Sequence, residues 1–181
     1  MFHEEILEEL KITLSGIKKE EIFGLEEELQ KAERIFCDGL GRSGLFCRAF
    51  AMRLMHLGMS CFYVGDTMTP AIERGDLLLI CSGSGGTETL ISHGKKAKKS
   101  GARIALVTGN EISHLGELAD VRVLIKAPQK NEAKRGKKTV LPMGSLFEDS
   151  ISLLFESLVL DLMEQRNETG QSMFQRHANL E

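Results

Sequence analysis

The 181-residue sequence predicts an α/β fold: a three-layer αβα sandwich around a five-stranded parallel sheet, preceded by an N-terminal helical extension. Three observations lead there. Short apolar runs recur at residues Arg34–Asp38, Cys61–Val64, Asp76–Cys81, Arg103–Val107 and Val121–Ile125. Helical segments separate these runs, and strands that alternate with helices form parallel sheets covered on both faces. Glycine clusters follow the first and third runs directly, where such a sheet turns its chain into a helix.

Taken in order, residues 1–33 carry ten acidic and four basic side chains, a net charge of −6. Ile6, Leu10, Thr13, Leu14 and Ile17 sit at helical spacing, followed by Phe23, Leu25 and Leu29. The spacing predicts one or two amphipathic helices with a solvated acidic face. The first strand ends in glycines and leads to a helix over Ser43–Leu57, with Gly58 placed as its cap. Further helices are expected over Thr87–Ser100, Ser113–Ala119 and Ser145–Met163. Residues 127–139 are irregular and basic, with Lys130, Lys134, Arg135, Lys137 and Lys138 against Glu132, which reads as a solvated loop. One domain over 1–181 therefore divides into N-terminal helices (1–33), an αβα core (34–165) and a tail (166–181).

Composition narrows the function classes. Hydrophobic residues make up 42% and charged ones 27%, which excludes a disordered chain. The net charge of −3 argues against a nucleic-acid partner. No apolar run approaches the ~20 residues of a membrane helix, and the N-terminus carries no signal pattern, so a cytoplasmic protein with no membrane partner is expected. Cys37, Cys47, Cys61 and Cys81 include no C-x-x-C pair, which predicts free, largely buried thiols and no metal site.

Two glycine-rich junctions carry the chemistry. Gly39-Leu-Gly-Arg-Ser-Gly44 spells G-x-G-x-x-G, and Asp66 lies 22 positions beyond Gly44, as a dinucleotide fingerprint requires. The second junction, Ser82-Gly-Ser-Gly-Gly-Thr87, adds three hydroxyls to free backbone N–H groups at a helix start. That combination suits a phosphate monoester better than the middle of a dinucleotide. The plainer alternative is a turn with N-capping hydroxyls.

At this point the sequence resembles a known family. Gly41-Arg-Ser-Gly44, Phe50-Ala-Met-Arg-Leu-Met-His56, Val64-Gly-Asp-Thr67 with Thr69-Pro70, the Ser82–Thr87 loop, Pro142-Met-Gly-Ser-Leu-Phe-Glu148 and the terminal Arg176-His-Ala-Asn-Leu-Glu181 occur in this order. Together they resemble the 6-phospho-3-hexuloisomerases of the ribulose monophosphate pathway, members of the sugar isomerase (SIS) domain family. The resemblance implies a flavodoxin-like SIS fold, a sugar-phosphate substrate and a homotetramer. It also implies interconversion of D-arabino-hex-3-ulose 6-phosphate and D-fructose 6-phosphate, as in formaldehyde fixation. The implied substrate-binding set is Gly41, Arg42, Ser43, Ser82, Gly83, Ser84, Gly85, Gly86 and Thr87. Two departures stand out: Gly86 replaces the glutamate usual in that loop, and Asp66 stands where glutamate is commoner.

Moving a carbonyl to the adjacent carbon needs a base for a carbon-bound proton and a second group for the oxygens. It needs no metal and no redox cofactor. By spacing alone, Ser145-Leu-Phe-Glu148 is a capping box at the start of the last long helix. The resemblance instead assigns Glu148 as the base and His177 as the oxygen acid–base group, reaching a neighbouring subunit. Among the other histidines, His56 is expected to complement a helix dipole, His93 and His114 to be exposed, and His3 to lie in a frayed end. Two rivals remain. A non-catalytic sugar-phosphate sensor would need neither Glu148 nor His177, and would be expected to carry a DNA-binding domain for which 181 residues leave no room. A NAD-binding module would need Asp66 on a ribose.

Overall fold

The computed structural model describes residues 1–128 and 139–180. Lys130, Glu132, Lys134, Arg135, Lys137 and Lys138 of the expected basic loop lie outside the described residues, as does Glu181. In chain order the elements are α1 (His3–Ser15), α2 (Lys19–Lys31), β1 (Ile35–Gly39), α3 (Gly41–His56), β2 (Cys61–Tyr63) and β3 (Leu77–Ser82). Then follow α4 (Glu88–Lys99), β4 (Arg103–Thr108), α5 (His114–Leu118), β5 (Val121–Leu124), α6 (Ser145–Gln165) and α7 (Gly170–Phe174).

All five strands pair in parallel, in the order β2-β1-β3-β4-β5. Every residue of β1 and β3 is buried, because helices cover both faces of the sheet. Ile35, Cys37, Leu77, Leu79 and Cys81 face the layer built from α1, α2, α3 and α6. Phe36, Leu78 and Ile80 face α4 and α5. This two-sided burial is why the strands read as unbroken apolar runs in the sequence.

The strand order determines where a ligand can sit. After β2 the chain crosses back over β1 to lay down β3 on its other side. Helices α3 and α4 therefore leave neighbouring strands toward opposite faces, opening a crevice at the carboxyl ends of β1 and β3. Helix α6 packs beside α3 with Phe155 stacked on Phe50, ring centroids 4.0 Å apart. Arg42 reaches Asp149 while Arg53 reaches Glu156, so α3 and α6 run in the same direction and both begin at the crevice.

The acidic face of the N-terminal helices is not wholly solvated. Glu21 accepts a hydrogen bond from Leu124 N at 2.7 Å, which occupies a donor of the edge strand β5. Glu9 accepts from Val140 N at 2.9 Å. His3 is the exposed first residue of α1. Gly58, at φ +76°, ends α3 as expected. The four cysteines are free, and the fold gathers them: Cys37 and Cys61 lie Sγ to Sγ at 4.0 Å, and the Cys47 thiol donates to Asp38 O at 3.5 Å.

Candidate active site

A cleft of about 250 Å³ occupies the crevice. Leu40 and Ser43 wall it from the β1–α3 junction, and Cys81, Ser82, Gly83, Ser84 and Thr87 from the β3–α4 junction. Leu90 of α4 and Gly144, Phe147 and Glu148 at the start of α6 complete it.

The serine loop holds its own shape. Ser82 Oγ accepts from Gly85 N at 3.2 Å, and Ser84 Oγ accepts from Gly86 N at 3.3 Å. The carbonyls are drawn toward the segment after β4: Gly83 O accepts from Gly109 N, Ser84 O from Asn110 Nδ2 and Gly85 O from Leu115 N, at 3.1, 3.2 and 3.1 Å. With its carbonyls so held, the loop offers hydroxyls and the first-turn N–H groups of α4 to the cleft. A helix start of this kind attracts anions. Thr87 is the N-cap residue but makes no side-chain capping bond, so the capping alternative is not realised there. Gly85 has φ +64°, and a Cβ on it would lie 2.5 Å from Ser113 Cβ, so only glycine fits. At Gly86 nothing lies within 4 Å of where a Cβ would sit.

The first glycine cluster serves packing. A Cβ on Gly44 would meet the Gly39 carbonyl carbon at 2.7 Å, and Tyr63 Oη donates to Gly39 O at 2.8 Å. Helix α3 thus starts against the end of β1, two residues earlier than the sequence spacing predicts. Asp66 lies three residues beyond the end of β2 and is ion-paired with Arg48, whose guanidinium sits 4.8 Å over the Tyr63 ring. The carboxylate that a dinucleotide ribose would require is committed elsewhere.

Glu148 is 3% exposed and lines the cleft opposite the serine loop. The capping box does not form. Met143 (φ +62°) and Gly144 (φ +85°) turn the chain so that Gly144 is the N-cap and Ser145 the first helical residue. That is one position too early for the S-x-x-E spacing to close. Ser145 Oγ instead accepts from Arg42 Nη1 at 2.6 Å. The same nitrogen lies 3.2 Å from Glu148 Oε2, and Nη2 donates to Asp149 Oδ1 at 2.8 Å. Of the expected substrate-binding residues, Ser43, Ser82, Gly83, Ser84 and Thr87 line the cleft, whereas Gly41, Arg42, Gly85 and Gly86 lie beside it.

His177 is elsewhere. Its exposed ring stacks on His56 at 5.2 Å and on Phe174 at 6.1 Å. His56 is the last of the 16 residues of α3, so about 24 Å of helix separates it from the cleft end, at ~1.5 Å per residue. The tail is fastened in place: Thr169 and Ser172 form a capping box on α7, Met173 is buried, and Arg176 donates to His56 O at 2.9 Å and to Glu168 at 2.8 Å. The hydrogen bonds from Arg176 and Ser172 bring the Glu168 carboxyl down to about 2. Burial, then the neighbouring His177, push the His56 pKa down, which favours a neutral ring over the charged dipole partner expected from sequence.

His93, expected to be exposed, is half-buried and pairs through Nδ1 with Asp38 at 2.8 Å. Asp38 is 2% exposed, and burial raises its pKa while His93 opposes the shift. No sequence pattern joins residues this far apart. Nor does any single out Asp149, or Leu90 as part of the cleft wall, although Leu40 and Phe147 lie inside the Gly39–Gly44 and Pro142–Glu148 motifs.

Residues 28–151 match the SIS domain family. A Bacillus subtilis protein named 3-hexulose-6-phosphate isomerase is 41% identical over 177 residues, 98% of this chain and 96% of its own. A protein of the same name from Mycobacterium gastri is 40% identical over 176 residues, 97% of this chain and 88% of its own. Among solved structures, a hypothetical protein from Methanococcus jannaschii, whose crystal structure was said to infer a molecular function of 3-hexulose-6-phosphate isomerase, superposes with a TM-score of 0.85. It shares 31% sequence identity, and 98% of each chain is covered. With its parallel sheet, two glycine-rich junctions and a match over residues 28–151, the chain belongs to the SIS domain family.

Proposed function

We propose that this protein is an isomerase that interconverts D-arabino-hex-3-ulose 6-phosphate and D-fructose 6-phosphate, a step of the ribulose monophosphate pathway. One observation carries the reading: a buried carboxylate, Glu148, faces a serine-rich helix-start loop across a single cleft. The near full-length likeness to proteins named for this activity supports it.

Ser82, Ser84, Thr87 and the loop amides hold the phosphate, with Ser43 on the sugar. Starting from the 3-ulose, the Glu148 carboxylate takes the proton on C2, and the bond's electrons form a 2,3-enediolate. Glu148 returns the proton to C3, O3 gains a proton, and O2 gives one up to become the new carbonyl. His177 moves the proton between the two oxygens. Because His177 lies at the far end of α3, it serves the cleft of a second copy. Exposed Leu45, Met52, Leu153, Leu160 and Phe174 on α3, α6 and α7 supply apolar surface for such copies, and the assembly is read as a homotetramer. None of the helices among the described residues is long and apolar enough to cross a membrane, in keeping with a cytoplasmic enzyme.

The test is exchange of the C3 proton of fructose 6-phosphate in D₂O, followed by NMR. The protein should catalyse it, and Glu148→Gln should abolish it while fructose 6-phosphate still raises the melting temperature. NAD and unphosphorylated fructose should not raise it. Normal exchange by Glu148→Gln would remove the assigned base.

A further inference from the structure

The geometry points to Arg42 as a positioning residue for Glu148, steadied by Asp149, in place of a ligand of the sugar phosphate. The inference rests on the isomerase reading above and concerns how its base is held. An arginine that binds phosphate keeps its planar fork open to the ligand. Here the fork is occupied. Nη1 donates to Ser145 Oγ at 2.6 Å and lies 3.2 Å from Glu148 Oε2, while Nη2 donates to Asp149 Oδ1 at 2.8 Å. The guanidinium also lies 5.9 Å from the Phe46 ring. Its sequence neighbours Leu40 and Ser43 line the cleft, and Arg42 does not.

The chemistry needs such a partner. A carboxylate only 3% exposed is driven toward its neutral form by burial, yet a base must begin ionised. A cation 3.2 Å away favours the charged form and restrains the carboxyl rotation. Asp149 draws on the same guanidinium, so it limits how far Arg42 weakens the base. Among the described residues, the charged or titratable groups seen against Glu148 or in the cleft with it include Arg42 from α3, Asp149 on its own helix and the Cys81 thiol from β3.

Two substitutions should move the pH profile in opposite directions. Arg42→Gln removes a cation 3.2 Å from Glu148, so the acidic limb of kcat/KM should shift to higher pH. kcat should fall ~10²-fold, the scale of a misplaced catalytic group, with KM for fructose 6-phosphate changed less than about threefold. Arg42→Lys should recover about tenfold of that loss, because a point charge restores the field without the fork. Asp149→Asn leaves the guanidinium undivided, so the acidic limb should shift to lower pH, with kcat down by about three- to tenfold. It keeps Arg42 and Ser145 and serves alone if Arg42→Gln does not fold. A KM raised tenfold or more at normal kcat, or unmoved acidic limbs, would make Arg42 a substrate ligand and overturn the inference. Glu148→Gln run in parallel separates the two readings. If it is inactive while Arg42 behaves as a ligand, only the positioning role fails; if it is fully active, Glu148 is not the base; and if the parent protein shows no C3 exchange, the isomerase reading itself fails.

Discussion

Replacing His177 by alanine tests the separation between the tail and its own cleft. The ring is exposed and rests on His56, so the variant should fold and bind fructose 6-phosphate as the parent does. Turnover should fall by ~10²–10⁴, the contribution of one positioned acid–base group. The decisive assay mixes two inactive chains, Glu148→Gln and His177→Ala, unfolded together and refolded at equal amounts. Some 24 Å of α3 stands between His177 and its own cleft, so on the proposed crossed arrangement each site would draw its base from one chain and its tail from another. A site is intact only when the base comes from the His177→Ala chain and the tail from the Glu148→Gln chain. Each condition holds half the time, so about one site in four should work in a randomly assorted assembly. The mixture should therefore recover roughly a quarter of the parent activity, read by C3 exchange. If the tail served its own cleft, every chain would lack one group and nothing would return. Mixed assemblies confirmed by native mass spectrometry with no recovered activity would refute the crossed arrangement, and normal turnover by His177→Ala would refute the role itself.

Two neighbouring glycines should respond oppositely to alanine. Gly85→Ala meets φ +64° and a Cβ contact at 2.5 Å, so it should cost ~1–3 kcal/mol in urea unfolding and weaken fructose 6-phosphate binding by tenfold or more in calorimetry. Gly86→Ala enters open space and should stay within about 0.5 kcal/mol of the parent; equal losses at both positions would show that the loop conformation is not what binds. The tail should loosen in acid, because Glu168 has a folded pKa of about 2, below its ordinary 4.5. A depressed carboxyl stabilises fully above its unfolded value, so protection of the 169–177 amides from hydrogen exchange should hold above pH 4.5 and decline as the pH falls toward 2. Loss that begins on raising the pH would contradict the Arg176–Glu168 clamp.

Much of the site was legible because its parts are local. The Ser82–Thr87 loop needs only neighbouring hydroxyls, glycines and a helix start, and its Ser82, Gly83, Ser84 and Thr87 line the cleft. The capping box at Ser145–Glu148 was equally legible and did not form. A helix start is decided by backbone turns at Met143 and Gly144 and by the competing donor Arg42, which is 103 residues from Ser145. His93 looked like a surface residue because its partner Asp38 lies 55 positions away on another element.

The sequence by itself determined the five strands, the helices between them and the two glycine-rich junctions, since apolar periodicity and turn chemistry act within a few residues of each other. Tertiary structure decided the strand order that brings those junctions to one crevice, the Arg42–Glu148–Asp149 cluster and the removal of His177 to the far end of α3. These depend on which faces pack together. Burial alone makes a carboxylate need a cation or a strand edge need a cover, and it is settled only when distant segments meet.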